Sequence, residues 1–164
     1  MASARNALRK IASRAALIRI VRRASAGRRR VVFTNGCFDL LHAGHVKLLE
    51  RARRYGDVLV VGINSDRSVR ALKGPGRPVV GQRDRALVLA ALESVDYVTI
   101  FNERTPQRLV EALRPHVLIK GADWAASDIV GRDTVQRRGG KVIRFPLLKG
   151  YSTSRLIQHI KKTL

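Results

Sequence analysis

Apolar residues recur along the chain in two patterns, short continuous runs and longer stretches with helical spacing. The continuous runs have the β-branched and aromatic composition of buried strands, and they cover 31–34, 57–63, 97–101, 117–119 and 141–145. Between them, apolar residues three or four positions apart predict helices, most clearly over 44–55 and 82–93. Strands that alternate with helices predict an α/β fold: a doubly wound, mainly parallel five-stranded sheet with helices on both faces.

The stretch 82–93 predicts a helix with a broad apolar face. The residues of that face are Leu87, Val88, Ala90, Ala91 and Leu92. Arg85 lies in the first turn, where a positive charge opposes the helix dipole, so we expect an anionic group beside it.

Two histidines lie between the first predicted strand and the helix that follows it. His42 and His45 are three residues apart, on the same side of the first turn, and Gly44 between them leaves room for a ligand. A helix N-terminus attracts phosphate, because its backbone N–H groups are unpaired and its dipole end is positive. The alternative is that one histidine caps the helix and the other packs. The position at the end of a strand favours a phosphate site, since open α/β sheets bind ligands there.

Basic and polar residues follow two later predicted strands. The loop 73–78 contains two glycines and two prolines, which exclude regular structure, and its Lys73 and Arg77 suit a lid over a polyphosphate. A solvated turn is the alternative.

The fourth strand is followed by Asp123 and Trp124, where Asp123 is a candidate to bind a sugar or ribose hydroxyl or a metal-bound water. A helix cap and a packed tryptophan are the alternative for this pair.

The last predicted helix begins with Tyr151, Ser152, Thr153 and Ser154. Three hydroxyls exceed what capping requires. One therefore caps the helix, and the others, with the free backbone N–H groups, predict a second phosphate cradle that faces the first.

Composition favours one globular domain with a real core, because 45% of the 164 residues are hydrophobic and 27% are charged. No apolar run approaches the roughly 18 residues of a membrane helix.

The single cysteine, Cys37, excludes an internal disulfide and fits a reducing cytoplasm. A small residue in a tight loop is a better interpretation of Cys37 than a nucleophile, because no separate base and orienting group are evident for it.

Positive charge is concentrated at the start of the chain. The formal net charge is +21, and residues 1–30 contain ten Arg or Lys and no Asp or Glu. The spacing of Leu8, Ile11, Ala15 and Ile18 predicts a basic amphipathic helical leader over 1–27, before a domain over 28–164. Three interpretations are open: a helix docked on the domain or a partner subunit, a transit peptide, or a binder of anionic surfaces. Nucleic acid is disfavoured, since 5% aromatic residues provide few stacking platforms.

The stretch TNGCFDLLHAGH, residues 34–45, resembles the signature of the nucleotidyltransferase superfamily that is named for its HxGH sequence. Further blocks match in order: GINSDRSVRALKGPGRPV, RALVLAALESVDYV, TPQRLVEALRPHVLIKGADW, and GGKV with GYSTSRLI. Within the superfamily the chain is similar to heptose 1-phosphate adenylyltransferases, the nucleotidylating half of ADP-heptose synthases, over about residues 22–160. Ala122 and His116 depart from the family pattern. Leu147 stands where cytidylyltransferases have arginine, which favours the heptose branch.

The resemblance implies strand order 3-2-1-4-5 and a transfer of AMP from ATP to D-glycero-β-D-manno-heptose 1-phosphate. Pyrophosphate is released, and the ADP-heptose serves as a precursor of the lipopolysaccharide core. Mg²⁺ is expected to bridge the phosphates, which hold it mainly themselves, in a cytoplasmic homodimer without a membrane span. The alternative enzyme is a cytidylyltransferase acting on a small polyol or amino-alcohol phosphate, such as glycerol 3-phosphate. The alternative outside the enzymes is a basic nucleic-acid-binding protein.

The resemblance also assigns roles to residues. His42 and His45 act on the reacting phosphates, Lys47 with Ser152 and Thr153 acts on the leaving pyrophosphate, and Lys73, Arg77 and Arg85 add further cations. Asp39, Asp123 and Trp124 are implied to bind the acceptor substrate. The residues implied to contact the nucleotide are Thr34, Asn35, Gly36, Cys37, Phe38, Asp39, His42, His45, Lys73, Arg77, Arg85, Lys120, Gly121, Asp123, Tyr151, Ser152, Thr153 and Ser154.

Overall fold

The computed structural model of the chain describes residues 6–121, 128–146 and 150–163. Within them one sheet contains the strands β1 (Val31–Gly36), β2 (Val58–Asn64), β3 (Tyr97–Phe101), β4 (Val117–Gly121) and β5 (Lys141–Phe145). The strands lie in the order β3-β2-β1-β4-β5, and each neighbouring pair is parallel. The predicted five-stranded sheet and its order are confirmed. All carboxyl ends of the strands therefore meet at one edge of the sheet.

Helices connect the strands on both faces of the sheet. They are α1 (Ala7–Lys10), α2 (Arg14–Ala26), α3 (Ala43–Arg53), α4 (Asp66–Lys73), α5 (Gln82–Ala91), α6 (Gln107–Leu113), α7 (Arg132–Gln136) and α8 (Thr153–Thr163). None of the helices in the described ranges is long and apolar enough to span a membrane.

Side chains along each strand alternate between two hydrophobic cores. In β1, Val31 and Phe33 belong to one core and Val32 to the other. Helices α2, α6 and α7 cover the core that contains Phe33, whereas α3 and α5 cover the core that contains Val32. Both faces of the strands are therefore buried, which is why continuous apolar runs fold as the strands of this sheet.

The leader forms two helices, so the prediction of a single amphipathic helix was wrong. After α1 the chain is extended at Ile11 and Ala12, where the Ala12 N–H donates to the Val98 carbonyl of β3 at 2.9 Å. Ile11 forms a parallel bridge with the same residue. Helix α2 then begins at a cap in which Ser13 Oγ accepts from the Ala16 N–H. The extended break is bonded to β3, so it covers part of that edge of the sheet.

The buried face of α2 is formed by Leu17, Val21 and Ala24. The stripe predicted for a continuous helix included Leu8 and Ala15, which are both exposed. The prediction of one continuous helix fails because the extended residues between α1 and α2 change which later positions face the sheet. The packing of α2 docks the leader on the sheet, and the domain boundary at residue 27 stays a prediction.

Helix α5 buries a narrower face than its apolar composition predicted. Ala86, Leu89 and Ala90 face the sheet together with Arg85, whereas Leu87 and Val88 are 41% and 47% exposed. Arg85 therefore lies on the buried face of α5, where the apolar pattern had predicted Leu87 and Val88.

Candidate functional site

The two histidines lie side by side at the N-terminus of α3. His42 is the N-cap residue, and its side chain makes no capping hydrogen bond. Its ring stacks on that of His45, with centroids 3.8 Å apart and planes 18° from parallel, and Phe38 lies 5.0 Å from the His45 ring. The Nδ1 atoms of both histidines are buried without a hydrogen-bond partner. Each imidazole therefore keeps a ring nitrogen that a ligand can satisfy.

Burial keeps both imidazoles neutral at pH 7. It lowers the pKa of His45 to about 4, with a smaller contribution from the nearby His42 charge. Burial also lowers the pKa of His42, against the opposing effect of a backbone hydrogen bond. A bound polyanion acts in the opposite direction, because it stabilises the imidazolium.

Gly44 allows the close packing at this helix end. A Cβ atom at this position lies 3.0 Å from His42 Nδ1 and 3.2 Å from Tyr151 Cβ. Any larger residue therefore displaces the histidine ring or the start of the last helix.

The N-terminus of α8 lies against the histidine loop. Ser152 Oγ accepts from the Arg155 N–H at 3.2 Å, and Thr153 Oγ1 donates to the Leu40 carbonyl at 3.4 Å. The Tyr151 ring lies 6.1 Å from that of His42. Of the three predicted hydroxyls, Ser152 caps the helix, Thr153 joins the two segments, and Ser154 is exposed. Two helix N-termini thus lie against each other at one edge of the sheet, and the second phosphate cradle stays a prediction.

Asp39 binds the loop that follows α4. Its Oδ1 accepts from the Val79 and Val80 N–H groups at 2.8 and 3.0 Å, and its Oδ2 lies 2.8 Å from Arg77 Nε. The Asp39 side chain is 1% exposed. Two residues predicted to contact substrate are thus paired with each other, and the pair fixes the loop against the histidine segment.

Arg85 connects three segments of the chain. It donates to the carbonyls of Val80 and Asn64 at 2.9 Å each, and also to the Cys37 carbonyl. The Asp66 carboxylate accepts from its Nη2 at 2.7 Å and supplies the anionic group that the helix dipole led us to expect. The guanidinium is fully buried. These contacts give Arg85 a positioning role, in which it holds the backbone that precedes the histidines.

Asp66 was not predicted as part of this arrangement. The cap of α4 is Ser65, whose Oγ accepts from the Ser68 N–H. The sequence does contain a signal for this ion pair. An acidic residue, Asp66, comes just after β2, and Arg85 lies on the face of α5 that packs on the sheet.

The ends of β1 and β4 are cross-linked beside the site. Thr34 Oγ1 donates to the Ile119 carbonyl at 3.0 Å, and Lys120 Nζ donates to Asn35 Oδ1. Gly36 and Gly121 are the last residues of these strands. Cys37 follows β1, and burial raises the pKa of its thiol despite the nearby Lys73 and Arg85 charges. A thiol kept protonated fits a structural role better than a nucleophilic one.

Several predicted residues are not brought to the histidines. Lys47 has a side chain 64% exposed and lies 3.6 Å from Glu50 on the outer face of α3. Lys73 is exposed at the end of α4. His116 lies at the opposite edge of the sheet, where its Nδ1 accepts from the Val31 N–H at 3.0 Å. The predictions for Asp123 and Trp124, and the departures at Ala122 and Leu147, lie outside the described residues.

Residues 33–159 match a protein family described as cytidylyltransferase-like. The chain belongs to the cytidylyltransferase-like family. This assignment confirms the nucleotidyltransferase identity that the HxGH residues indicated.

Curated relatives of this cytidylyltransferase-like chain include two proteins named bifunctional protein HldE. The one from Koribacter versatilis is 56% identical over 149 residues, which are 91% of this chain and 31% of that protein. The one from Geobacter sulfurreducens is 54% identical over 134 residues, 82% of this chain and 27% of that protein. The chain thus spans about a third of the length of these relatives.

Solved structures share the cytidylyltransferase-like fold at lower sequence identity. A lipopolysaccharide core biosynthesis protein from Thermoplasma volcanium is 24% identical with a TM-score of 0.62, over 74% of this chain and 99% of that one. A pantoate-beta-alanine ligase from Francisella tularensis, crystallised with an ATP compound and beta-alanine, is 16% identical with a TM-score of 0.59, over 94% and 72% of the two chains.

Proposed function

We propose that the protein transfers AMP from ATP to D-glycero-β-D-manno-heptose 1-phosphate, releasing pyrophosphate and forming ADP-heptose for the lipopolysaccharide core. The observation that carries the proposal is the stacked His42–His45 pair, with two buried Nδ1 atoms lacking partners at a helix N-terminus. Such a site suits a polyphosphate, because the helix end and the ring nitrogens supply donors together. The 56% and 54% identity to the two HldE proteins supports the heptose substrate.

In this reaction an oxygen of the sugar phosphate attacks the α-phosphorus of ATP, and the bond to the β-phosphate oxygen breaks. No enzyme nucleophile is needed, so the protein contributes positioning and charge stabilisation. His42 and His45 donate to the phosphate oxygens on which charge develops. The backbone N–H groups and hydroxyls at the start of α8 hold the departing pyrophosphate.

The basic residues near the site differ in how directly they could bind the polyphosphate. Arg77 is nearest to a polyphosphate role, since the loop that carries it is already fixed beside the site by Asp39. Arg85 and Asp39 hold the backbone around the site and do not touch substrate. Lys47 and Lys73 are exposed side chains, and neither contacts the histidines.

Mg²⁺ fits this site as an ion held mainly by substrate phosphates. Among the described residues no group of three His, Cys, Asp or Glu could hold a metal ion. The nearby carboxylates of Asp39 and Asp66 are engaged with Arg77 and Arg85. When bound, Mg²⁺ neutralises phosphate charge.

A screen of pyrophosphate release tests the function. Four nucleoside triphosphates are each combined with heptose 1-phosphate, glucose 1-phosphate and glycerol 3-phosphate in the presence of Mg²⁺. We expect the fastest release with ATP and heptose 1-phosphate. Faster release with CTP and glycerol 3-phosphate would instead assign a cytidylyltransferase acting on a polyol phosphate.

A homodimer is part of the same proposal. The exposed Leu87 and Val88 of α5 are an apolar surface for a second copy. Light scattering during size-exclusion chromatography gives the mass, and a monomeric mass at assay concentrations contradicts the dimer. The cytoplasmic location inferred from the single cysteine stays a prediction.

A further inference from the structure

The amino-terminal edge of the sheet is strongly basic. The segments 27–30, 53–57, 114–116 and 137–141 enter β1, β2, β4 and β5, and they contain one acidic residue, Asp57. Their nine basic residues are Arg28, Arg29, Arg30, Arg53, Arg54, Arg114, Arg137, Arg138 and Lys141. We name this set the amino-edge surface.

Hydrogen bonds make the amino-edge surface continuous. The Asp57 N–H donates to the Arg30 carbonyl at 2.7 Å, the His116 N–H to the Val31 carbonyl at 2.9 Å, and the Lys141 N–H to the His116 carbonyl at 2.9 Å. The strands also begin level with one another, since Val31 pairs with Val58 and Val117 pairs with Lys141. Because neighbouring strands are about 4.8 Å apart, the four segments lie side by side along this edge.

Most of this charge is not neutralised by the protein. Asp57 accepts from the Arg30 backbone N–H, and Arg53 pairs with Asp96 at 3.2 Å. The other eight members of the surface are exposed and make no ion pair with any residue that the structure describes: Arg28, Arg29, Arg30, Arg54, Arg114, Arg137, Arg138 and Lys141. The segment 92–96 that enters β3 carries two acids and no cation, so the surface ends there.

The amino-edge surface lies on the far side of the sheet from the histidines. The strands are five to seven residues long, which separates the two edges by roughly 20 Å. A partner bound at the amino edge therefore leaves the candidate site open to solvent.

We propose that the amino-edge surface docks the protein on an anionic phospholipid membrane. Cations close to such a surface are attracted by its negative potential, without insertion into the bilayer. Tyr55 is the one exposed large apolar residue of these segments, so the contact is electrostatic. Two copies cannot pair through this surface, because its nine basic residues and one acidic residue would face a surface of the same sign. Nucleic acid fits the surface less well, because single strands need stacking aromatics and duplex grooves need a projecting helix or ribbon.

Vesicle sedimentation tests the proposal with the whole chain. The protein is mixed with vesicles of phosphatidylcholine alone, or of phosphatidylcholine with phosphatidylglycerol, at about 0.1 M salt, where charges act over about 10 Å. We expect binding only to the mixed vesicles. Replacing Arg28, Arg29 and Arg30 with Gln should weaken it about a hundredfold, at roughly fivefold for each cation.

The matched control removes the same charge from another surface. Arg67, Arg70 and Arg83 are exposed on α4 and α5, and their replacement by Gln should change vesicle binding less than about threefold. Pyrophosphate release and a thermal melt show that both triple variants are folded. If the first variant does not fold, replacing Arg137, Arg138 and Lys141 with Gln tests the other end of the surface.

Three results overturn the proposal. Equal weakening by the two triple variants means that net charge acts without a defined surface. Equal binding to both kinds of vesicle removes the role of anionic lipid. Displacement of bound vesicles by duplex DNA at an equal phosphate concentration assigns the surface to nucleic acid. None of these results bears on the proposed transferase reaction, which the pyrophosphate assay tests separately.

Discussion

His45 combines three properties at the scale of single residues: a stacked neighbour, a buried Nδ1 atom without a partner, and a pKa lowered to about 4. An imidazole in this environment is neutral in the free protein and becomes a stronger donor when a polyphosphate favours its charged form. Its contribution can therefore grow as charge moves to the leaving oxygen.

Replacing His45 with Ala should lower kcat by a factor of about 10² to 10³, the usual effect of losing one preorganised donor. The melting temperature should fall by only a few degrees, because the ring is at the protein surface on one side. His159→Ala on the exposed face of α8 is the control and should change neither quantity. A His45 variant that melts lower while keeping the parent kcat would give this histidine a purely structural role.

Stability should fall as the pH is lowered from about 6.5 toward 4. The unfolded chain binds a proton at His45 near pH 6.5, and the folded chain does so only near 4. Between those values the unfolded state holds more protons, so acid favours unfolding, by at most about 3 kcal/mol. Urea unfolding at pH 7 and pH 5 measures this loss. His45→Ala should lose less stability over the same interval, and equal losses in the two proteins would contradict the assignment.

At the scale of secondary structure elements, Arg85 holds α5 to the loops that build the site. Its contacts reach 48 residues back to Cys37 and 21 back to Asn64. Replacing Arg85 with Lys keeps the charge and loses the planar set of donors, so buried carbonyls are left without partners. Stability should fall by about 2 to 4 kcal/mol, and kcat should fall with it.

Arg83→Lys is the matched control, because Arg83 is exposed on the same helix. Urea midpoints and the separate values of kcat and KM distinguish a positioning role from a direct contact. An unchanged midpoint with a higher KM for ATP would mean that Arg85 binds the phosphates itself.

Helix α2 is a part of the core that the leader supplies. Leu17 is fully buried against β1 and α6, whereas Leu8 of α1 is 63% exposed. Leu17→Ala should therefore cost about 2 to 5 kcal/mol of unfolding free energy. Leu8→Ala, which removes the same atoms, should cost less than about 0.5 kcal/mol. Equal costs in urea unfolding would show that α2 is not packed as described.

The sequence predicted what is encoded locally and missed what depends on distant contacts. The histidine pair could be predicted, since a strand, a short motif and a helix within one stretch determine it. The hydrogen bond between Asp39 and the Val79 N–H, 40 residues away, could not be predicted. Hydrophobic periodicity does not indicate which distant polar groups come into contact. The extended residues Ile11 and Ala12 are held by contacts with Val98 of β3, far along the chain. The local sequence does not reveal these contacts, so the leader was predicted as one helix.

At the scale of the whole molecule, 33 basic residues against 12 acidic ones repel one another in the folded state. Salt should therefore stabilise the protein. Raising the salt from about 0.01 M to about 0.1 M shortens the screening length from about 30 to about 10 Å, and the melting temperature should rise by several degrees. A neutral solute at the same concentration is the control. A melting temperature that stays constant or falls with salt would contradict this expectation.

The bond between Ala12 and Val98 also limits how sheets of this protein can assemble. Growth of a fibre by strand addition needs two open edges on every sheet, one for each neighbour. Here the β3 edge is already joined to the chain's own leader, which leaves β5 at the other side of the order. Addition of another strand at Val98 is therefore obstructed, and loss of the leader would remove that obstacle to polymerisation.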